Sequence, residues 1–152
     1  MVTKWTSIAG RKENDGIDFY ETPIWCTDKI LEKVYFEWQI LEPCCWAWAI
    51  SKILEKKWYN VISYDIREDD GVYWKWWIDF LNCKYAEVDN IMTNPPFCKA
   101  QEIIEKSLNI VKKWWKVVMF LKLQFLEASE RYNFFKDTPL KIIWVHSKRP
   151  TL

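Results

Sequence analysis

The sequence predicts an α/β fold, a mostly parallel β-sheet with helices on both faces. Three observations carry this. Apolar runs of strand length recur at 39–43, 60–65, 78–81, 88–93, 116–123 and 141–146. Between several of them lie segments with apolar residues at helical spacing, such as Ile50, Ile53 and Leu54. The runs read as buried on both sides, the habit of strands in a parallel sheet sandwiched by helices.

In chain order, residues 1–17 are polar and irregular, and residues 18–152 form one domain. Thr27 offers an N-cap hydroxyl to a helix from Asp28 to about Phe36, with Ile30, Leu31, Val34 and Tyr35 on its apolar face. Residues 39–43 are the first strand and 47–57 the next helix. Residues 60–65 are a second strand closed by Asp65, 78–81 a third and 88–93 a fourth. An amphipathic helix covers 99–113, a fifth strand 116–123, another helix 126–137 and a sixth strand 141–146. Ligands of such sheets sit at the carboxyl ends of the strands, near the switch in strand order. Neither an internal repeat nor a linker interrupts the pattern.

Half of the 152 residues are apolar and 28% are charged, a globular balance with enough chain for a sizeable core. No apolar leader with a cleavage site and no run near the ~20 residues of a membrane span is present, so cytoplasmic residence without a membrane partner is expected. The five cysteines (Cys26, Cys44, Cys45, Cys83, Cys98) have no zinc spacing, and their odd number argues for free thiols rather than a disulfide framework. No metal is expected. The net charge of +1 says nothing about a polyanionic partner. Lys56-Lys57 and Lys112-Lys113 fall where helices should end, and there they compensate the helix dipole as well as they would bind phosphate.

The most informative residues are Asn94-Pro95-Pro96-Phe97, at the end of the fourth apolar run. Each proline fixes φ near −65° and removes a donor, so the chain cannot continue as strand or helix. Pro95 also holds Asn94 extended. The Asn94 side-chain oxygen and the Pro95 carbonyl are then two acceptors for one planar NH₂ group, with Phe97 to stack on the attached ring. The bland reading is an ordinary strand exit capped by two prolines. On this motif the chain resembles the class I amino-methyltransferases that use S-adenosyl-L-methionine, most closely the DNA adenine-N6 enzymes of phage and restriction type. The resemblance spans roughly residues 18–150 and implies their Rossmann-like sheet.

It assigns the cofactor side as follows. The loop Glu42-Pro43-Cys44-Cys45-Trp46-Ala47-Trp48 resembles the acid-Pro-x-x-Gly-x-Gly loop that seats the methionine end of S-adenosyl-L-methionine. Asp65 stands where the family's acid meets the ribose hydroxyls, and Asp79-Phe80 resembles the acid-aromatic pair beside the cofactor adenine. Tyr20, Thr22 and Pro23, within Asp18-Phe19-Tyr20-Glu21-Thr22-Pro23, resemble a Tyr-x-Thr-Pro element that closes over the cofactor. Asp at a strand end is also a common loop solubiliser, so each acid alone is weakly specific.

Trp46 and Trp48 occupy both glycine positions of that loop. Glycine is needed there for φ > 0 and for close approach of backbone N–H groups to a ligand. The same exchange recurs at Trp58, after a helix end; at Trp114-Trp115, in a tight turn; at Trp38, before the first strand; and at Trp74, Trp76 and Trp77. Trp25 fits a family position that commonly holds tryptophan, while Trp5 and Trp144 have no assignment. Glycine is scarce, at three residues where ~7% would give roughly eleven, and tryptophan is abundant at twelve. The expectation is a gene translated with the wrong codon table: some bacterial lineages read UGA as glycine, and a common alternative table reads it as tryptophan. The 18 lysines against 4 arginines fit an AT-rich gene. Taken literally, the tryptophans block the cofactor site.

Adenine-N6 methylation of DNA, by direct transfer to a flipped-out base, is the leading expectation. The same motif serves enzymes that methylate a glutamine amide in release factors or ribosomal proteins, or adenine in RNA. Outside catalysis, the chain reads as an inactive remnant of a mobile element. Pro43-Cys44, a possible cytosine-C5 thiol, lies at the wrong strand for that chemistry. His146 reads as a surface residue, and Ser147-Lys148-Arg149-Pro150 resembles the tail of small phage-type enzymes. In that family the chain runs on to a strand between the fifth and sixth. Ending at Leu152, this one is expected to be C-terminally truncated, without a target-recognition domain.

Overall fold

The computed structural model describes residues 20–67, 78–127 and 129–148. The irregular segment 1–17, Asp18, Phe19, Trp5, Trp74, Trp76, Trp77, Arg149 and Pro150 lie outside them.

Four strands form one all-parallel sheet: β1 (Ile40–Glu42), β2 (Val61–Ser63), β3 (Asn90–Thr93) and β4 (Val117–Met119), in the order β2-β1-β3-β4. β1 is central, with Ile40 opposite both Val61 and Asn90. Every residue of β1 and β3 is buried, while β4 at the edge is half-buried. This is the expected α/β architecture, and the order reverses between β1 and β3, as in Rossmann-like sheets.

The two faces follow from the alternation of side chains along each strand. Ile40 and Met92 point to one face, where they pack with Ile30 and Val34, around α1 (Ile24–Leu31), and with Ile50 and Leu54 of α2 (Ala49–Lys56). Leu41 and Ile91 point to the other, against Phe80 and against Ile103 of α3 (Ala100–Ile110). Leu54 is fully buried at the centre of the first face. Leu54→Ala is expected to cost about 2–5 kcal/mol, read as a lower urea midpoint at unchanged slope.

Several boundaries are corrected. The first helix starts at Ile24, its first turn closed by the Cys26 N–H donating to the Pro23 carbonyl at 2.9 Å. Thr27 is therefore a buried helical residue and not an N-cap. Residues 78–81 are a turn rather than a third strand: the Asp79 side chain accepts from the Leu81 N–H at 2.9 Å, an Asx turn, while Phe80 fills the core. The expected helix 126–137 is two 3₁₀ turns followed by α4 (Tyr132–Asp137). Residues 141–146 pair with no strand, and Ile142, Ile143 and Val145 are exposed. The sheet of the described residues ends at β4, and the N–H and C=O groups of this segment join no ladder there.

No helix among the described residues is long and apolar enough to cross a membrane. Lys57 caps α2 and also reaches Asp28 at 3.0 Å; Lys112 pairs with Asp89 at 2.7 Å. One lysine of each of these two clusters thus has a carboxylate partner within the fold.

Candidate functional site

A cleft opens at the carboxyl ends of β1, β2 and β3, where the sheet order reverses. It is lined by Tyr20 and Thr22 from the segment before α1, by Glu42, Cys44 and Trp46 after β1, by Asp65 after β2, and by Asn94, Pro95, Pro96 and Phe97 after β3. Segments far apart in sequence are therefore gathered at one place by the parallel topology. Pro23, Pro43, Trp48, Asp79 and Phe80 do not line it. Pro23 caps α1, Pro43 is buried, Trp48 caps α2, Asp79 closes its own turn and Phe80 is core.

The acceptor half is built around Asn94. Its Nδ2 donates to the Tyr20 backbone carbonyl at 2.7 Å, which ties the first described segment across the end of β3. That bond uses one of the two N–H groups of the amide and turns its nitrogen toward Tyr20, and the amide oxygen is the side chain's acceptor. The Pro96 carbonyl accepts from the Lys99 N–H at 2.9 Å, so of these two prolines it is Pro95 whose carbonyl takes no backbone N–H. The rings of Tyr20 and Phe97 lie 5.6 Å apart at 33°. The Lys122 ammonium sits over both, 4.3 Å from the Phe97 centroid and 4.9 Å from that of Tyr20. Lys122 is absent from the sequence expectations. Its signal is its place, just beyond the carboxyl end of a strand, where sheets of this kind bind ligands.

On the donor side Glu42 is buried and accepts a hydrogen bond from the Ser51 hydroxyl, which also meets the Ser63 hydroxyl. Burial pushes the Glu42 carboxyl up to about 8, outweighing the lowering by Ser51. Asp65 is almost fully buried. Its two oxygens accept from the Trp46 N–H at 2.8 Å and the Arg67 N–H at 3.0 Å, and the Arg67 guanidinium stands 5.0 Å from the Trp46 ring centroid. Burial raises the thiols of Cys44 and Cys45 well above the ordinary range, so neither is a ready thiolate nucleophile. His146 is half-buried rather than a free surface residue, edge-on to Trp25 with centroids 5.1 Å apart.

The S-adenosyl-L-methionine that the sequence resemblance implies does not fit this cleft with Trp46 in place. The cavity is about 30 Å³, room for a water or two, where ligand pockets ordinarily enclose ~300 Å³ or more. Trp46 lines it at φ 35°, and Trp48 holds φ 64° at the start of α2. A non-glycine residue in that region costs about 1–2 kcal/mol. No family model, curated protein or solved structure matches the chain.

Proposed function

We propose that the protein is an S-adenosyl-L-methionine-dependent methyltransferase acting on the exocyclic N6 amine of adenine in DNA. Its amine-binding half is the one formed by the residues present. The observation that carries this reading is the Asn94 amide at the cleft, whose NH₂ turns one N–H to the Tyr20 carbonyl at 2.7 Å, next to Pro95 and the Tyr20–Phe97 ring pair. An aromatic amine is a poor nucleophile because its lone pair is delocalised. Acceptors on both of its hydrogens favour a pyramidal nitrogen and stabilise the positive charge that develops there. Phe97 and Tyr20 supply apolar ring surface for a base taken out of its stack, and Thr22 and Pro95, both buried, close the surroundings to water.

A glutamine amide would satisfy the same two acceptors. Lys122 favours the nucleic acid, because an exposed ammonium at the rim of an aromatic slot is placed to meet a phosphate flanking the stacked base. Lys122→Gln is expected to weaken oligonucleotide binding and to reduce the slope of log K against log salt by about 0.7–0.9. A glutamine-bearing peptide would bind the variant and the parent alike. The deciding assay is methyl transfer to adenine-containing oligonucleotides, with glutamine peptides and RNA as competitors, using the chain that carries glycine at 46 and 48. Transfer to peptide alone, or to none of these, would sink the proposal.

A further inference from the structure

Every positive φ at a non-glycine residue among the described residues belongs to a tryptophan: Trp38 at 62°, Trp46 at 35°, Trp48 at 64°, Trp58 at 66° and Trp114 at 79°. Positive φ is uncommon outside glycine, is enriched in Asn and Asp, and is an outlier for a bulky side chain. The chain's three glycines, Gly10, Gly16 and Gly71, all lie outside the described residues. Among the described residues, this α/β domain thus meets each of its left-handed positions with the largest side chain available.

Each position is a distinct glycine motif by its hydrogen bonds. At the end of α2 the Trp58 N–H donates to the Glu55 carbonyl at 2.9 Å and the Tyr59 N–H to the Leu54 carbonyl at 3.1 Å. This is the Schellman pair, with Trp58 at the position glycine normally fills. At the other tight turn the Trp115 N–H donates to the Lys112 carbonyl at 3.2 Å, and Trp114 alone of the two central residues has φ near +80°. That is a type II turn, which calls for glycine at its third residue. Trp46 and Trp48 belong to the loop that closes on the cleft, where the Trp46 N–H is held by Asp65. Trp38 turns the chain into β1.

The indoles at these turns are left largely in solvent, with the Lys113 ammonium 5.2 Å from the Trp114 ring centroid. Trp38, Trp58 and Trp114 are 71%, 95% and 88% exposed. By contrast Trp25, within α1, meets His146 edge-on and is not among the positive-φ residues. The open hollow of about 800 Å³ at the amino ends of the strands has Trp38 and Trp58 in its wall.

We infer that positions 38, 46, 48, 58 and 114 are glycine in the protein its cell makes, their codons being UGA read as glycine. This accounts at once for five backbone conformations in four separate places and for a cleft too small for its ligand. It stands apart from the methyl-transfer reading, since Trp38, Trp58 and Trp114 do not line the cleft.

Three measurements decide it. UGG at any of the five codons overturns it. Peptide mass spectrometry of the protein isolated from its own cells reads glycine at 46, 48 and 58 if it is right and tryptophan if it is wrong. The triple variant Trp38→Gly, Trp58→Gly, Trp114→Gly is expected to raise Tm by roughly 6–12 °C, or to fold where the chain as spelled does not. An unchanged or lower Tm counts against it, and Trp25→Gly is expected to lower Tm. Trp46→Gly with Trp48→Gly is then titrated with S-adenosyl-L-methionine by calorimetry. Absence of binding there, with the triple variant stabilised, removes the methyltransferase proposal and leaves the glycine assignment standing.

Discussion

Asn94→Ala, made in the chain with glycine at 46 and 48, is expected to lower the rate of adenine methylation by about 10²–10³-fold. That is the loss typical when one preorganised partner of a developing charge is removed. The effect should fall on kcat more than on KM, because the acceptor matters most as the amine nitrogen becomes positive. Alanine also removes the bond to the Tyr20 carbonyl, so a structural contribution has to be separated. Asn94→Asp does this. It keeps an acceptor oxygen but cannot donate to Tyr20, and losing that one hydrogen bond should cost about tenfold. A loss with aspartate as large as that with alanine would mean that the tether, and not the acceptor, is what the reaction needs. Equal rates for all three proteins would remove Asn94 from the chemistry.

Most of the sheet was legible because β1, β2 and β3 are short apolar runs between helical patterns, and burial on both faces leaves no other use for such runs. The same logic failed at 78–81, where Ile78, Phe80 and Leu81 have strand-like letters but form a turn over the core. Periodicity cannot separate three apolar residues of four in a strand from the same three in a packed turn. Asp79 held the distinguishing signal, since a carboxylate two residues ahead of an N–H closes an Asx turn. Residues 141–146 failed for another reason. A strand is a property of a pair, and the sequence of one partner does not say whether the other is there. Thr27 was misjudged because an N-cap preference is local, while the helix is set by the apolar stripe of Cys26 and Ile30 and by the turn begun at Pro23.

The candidate site was legible to the extent that it is chain-local. The Asn94–Phe97 turn, the 42–48 loop and Asp65 each end a strand, and parallel strands bring their carboxyl ends together whatever the details. What spacing could not reveal is which backbone carbonyl the Asn94 amide would spend its donor on, or that Lys122 would lie over the aromatic pair. Both contacts join segments tens of residues apart. The tryptophans were legible in the other direction. Their positions conflict with local backbone rules in the sequence itself, and the positive φ values locate the conflict at five residues while releasing Trp115 from it. Consistency between local and global preference is what a foldable sequence has. A set of violations confined to one residue type argues against the letters rather than against the fold.

The second large effect is expected from pH. Glu42 is enclosed beneath the loop with its carboxyl pushed up to about 8 by burial, against an ordinary value of 4.5. The folded protein therefore keeps a proton on Glu42 that the unfolded chain gives up as pH rises past 4.5. Stability contributed by this group is complete below about 4.5 and is lost as pH climbs through the window to about 8, above which it changes no further. The slope within the window is about tenfold in the folding equilibrium per pH unit, on the order of 4–5 kcal/mol across it. Glu42→Gln should remove this dependence. Its amide oxygen can still accept from Ser51, and it carries no charge to bury. Urea unfolding at pH 5 and pH 8 is the measurement. The parent should lose stability between the two and the variant should lose much less, becoming the more stable of the pair at pH 8. Parallel curves for the two proteins would mean that Glu42 is ionised in the folded state, held by a cationic partner or by water that lowers the cost of its burial.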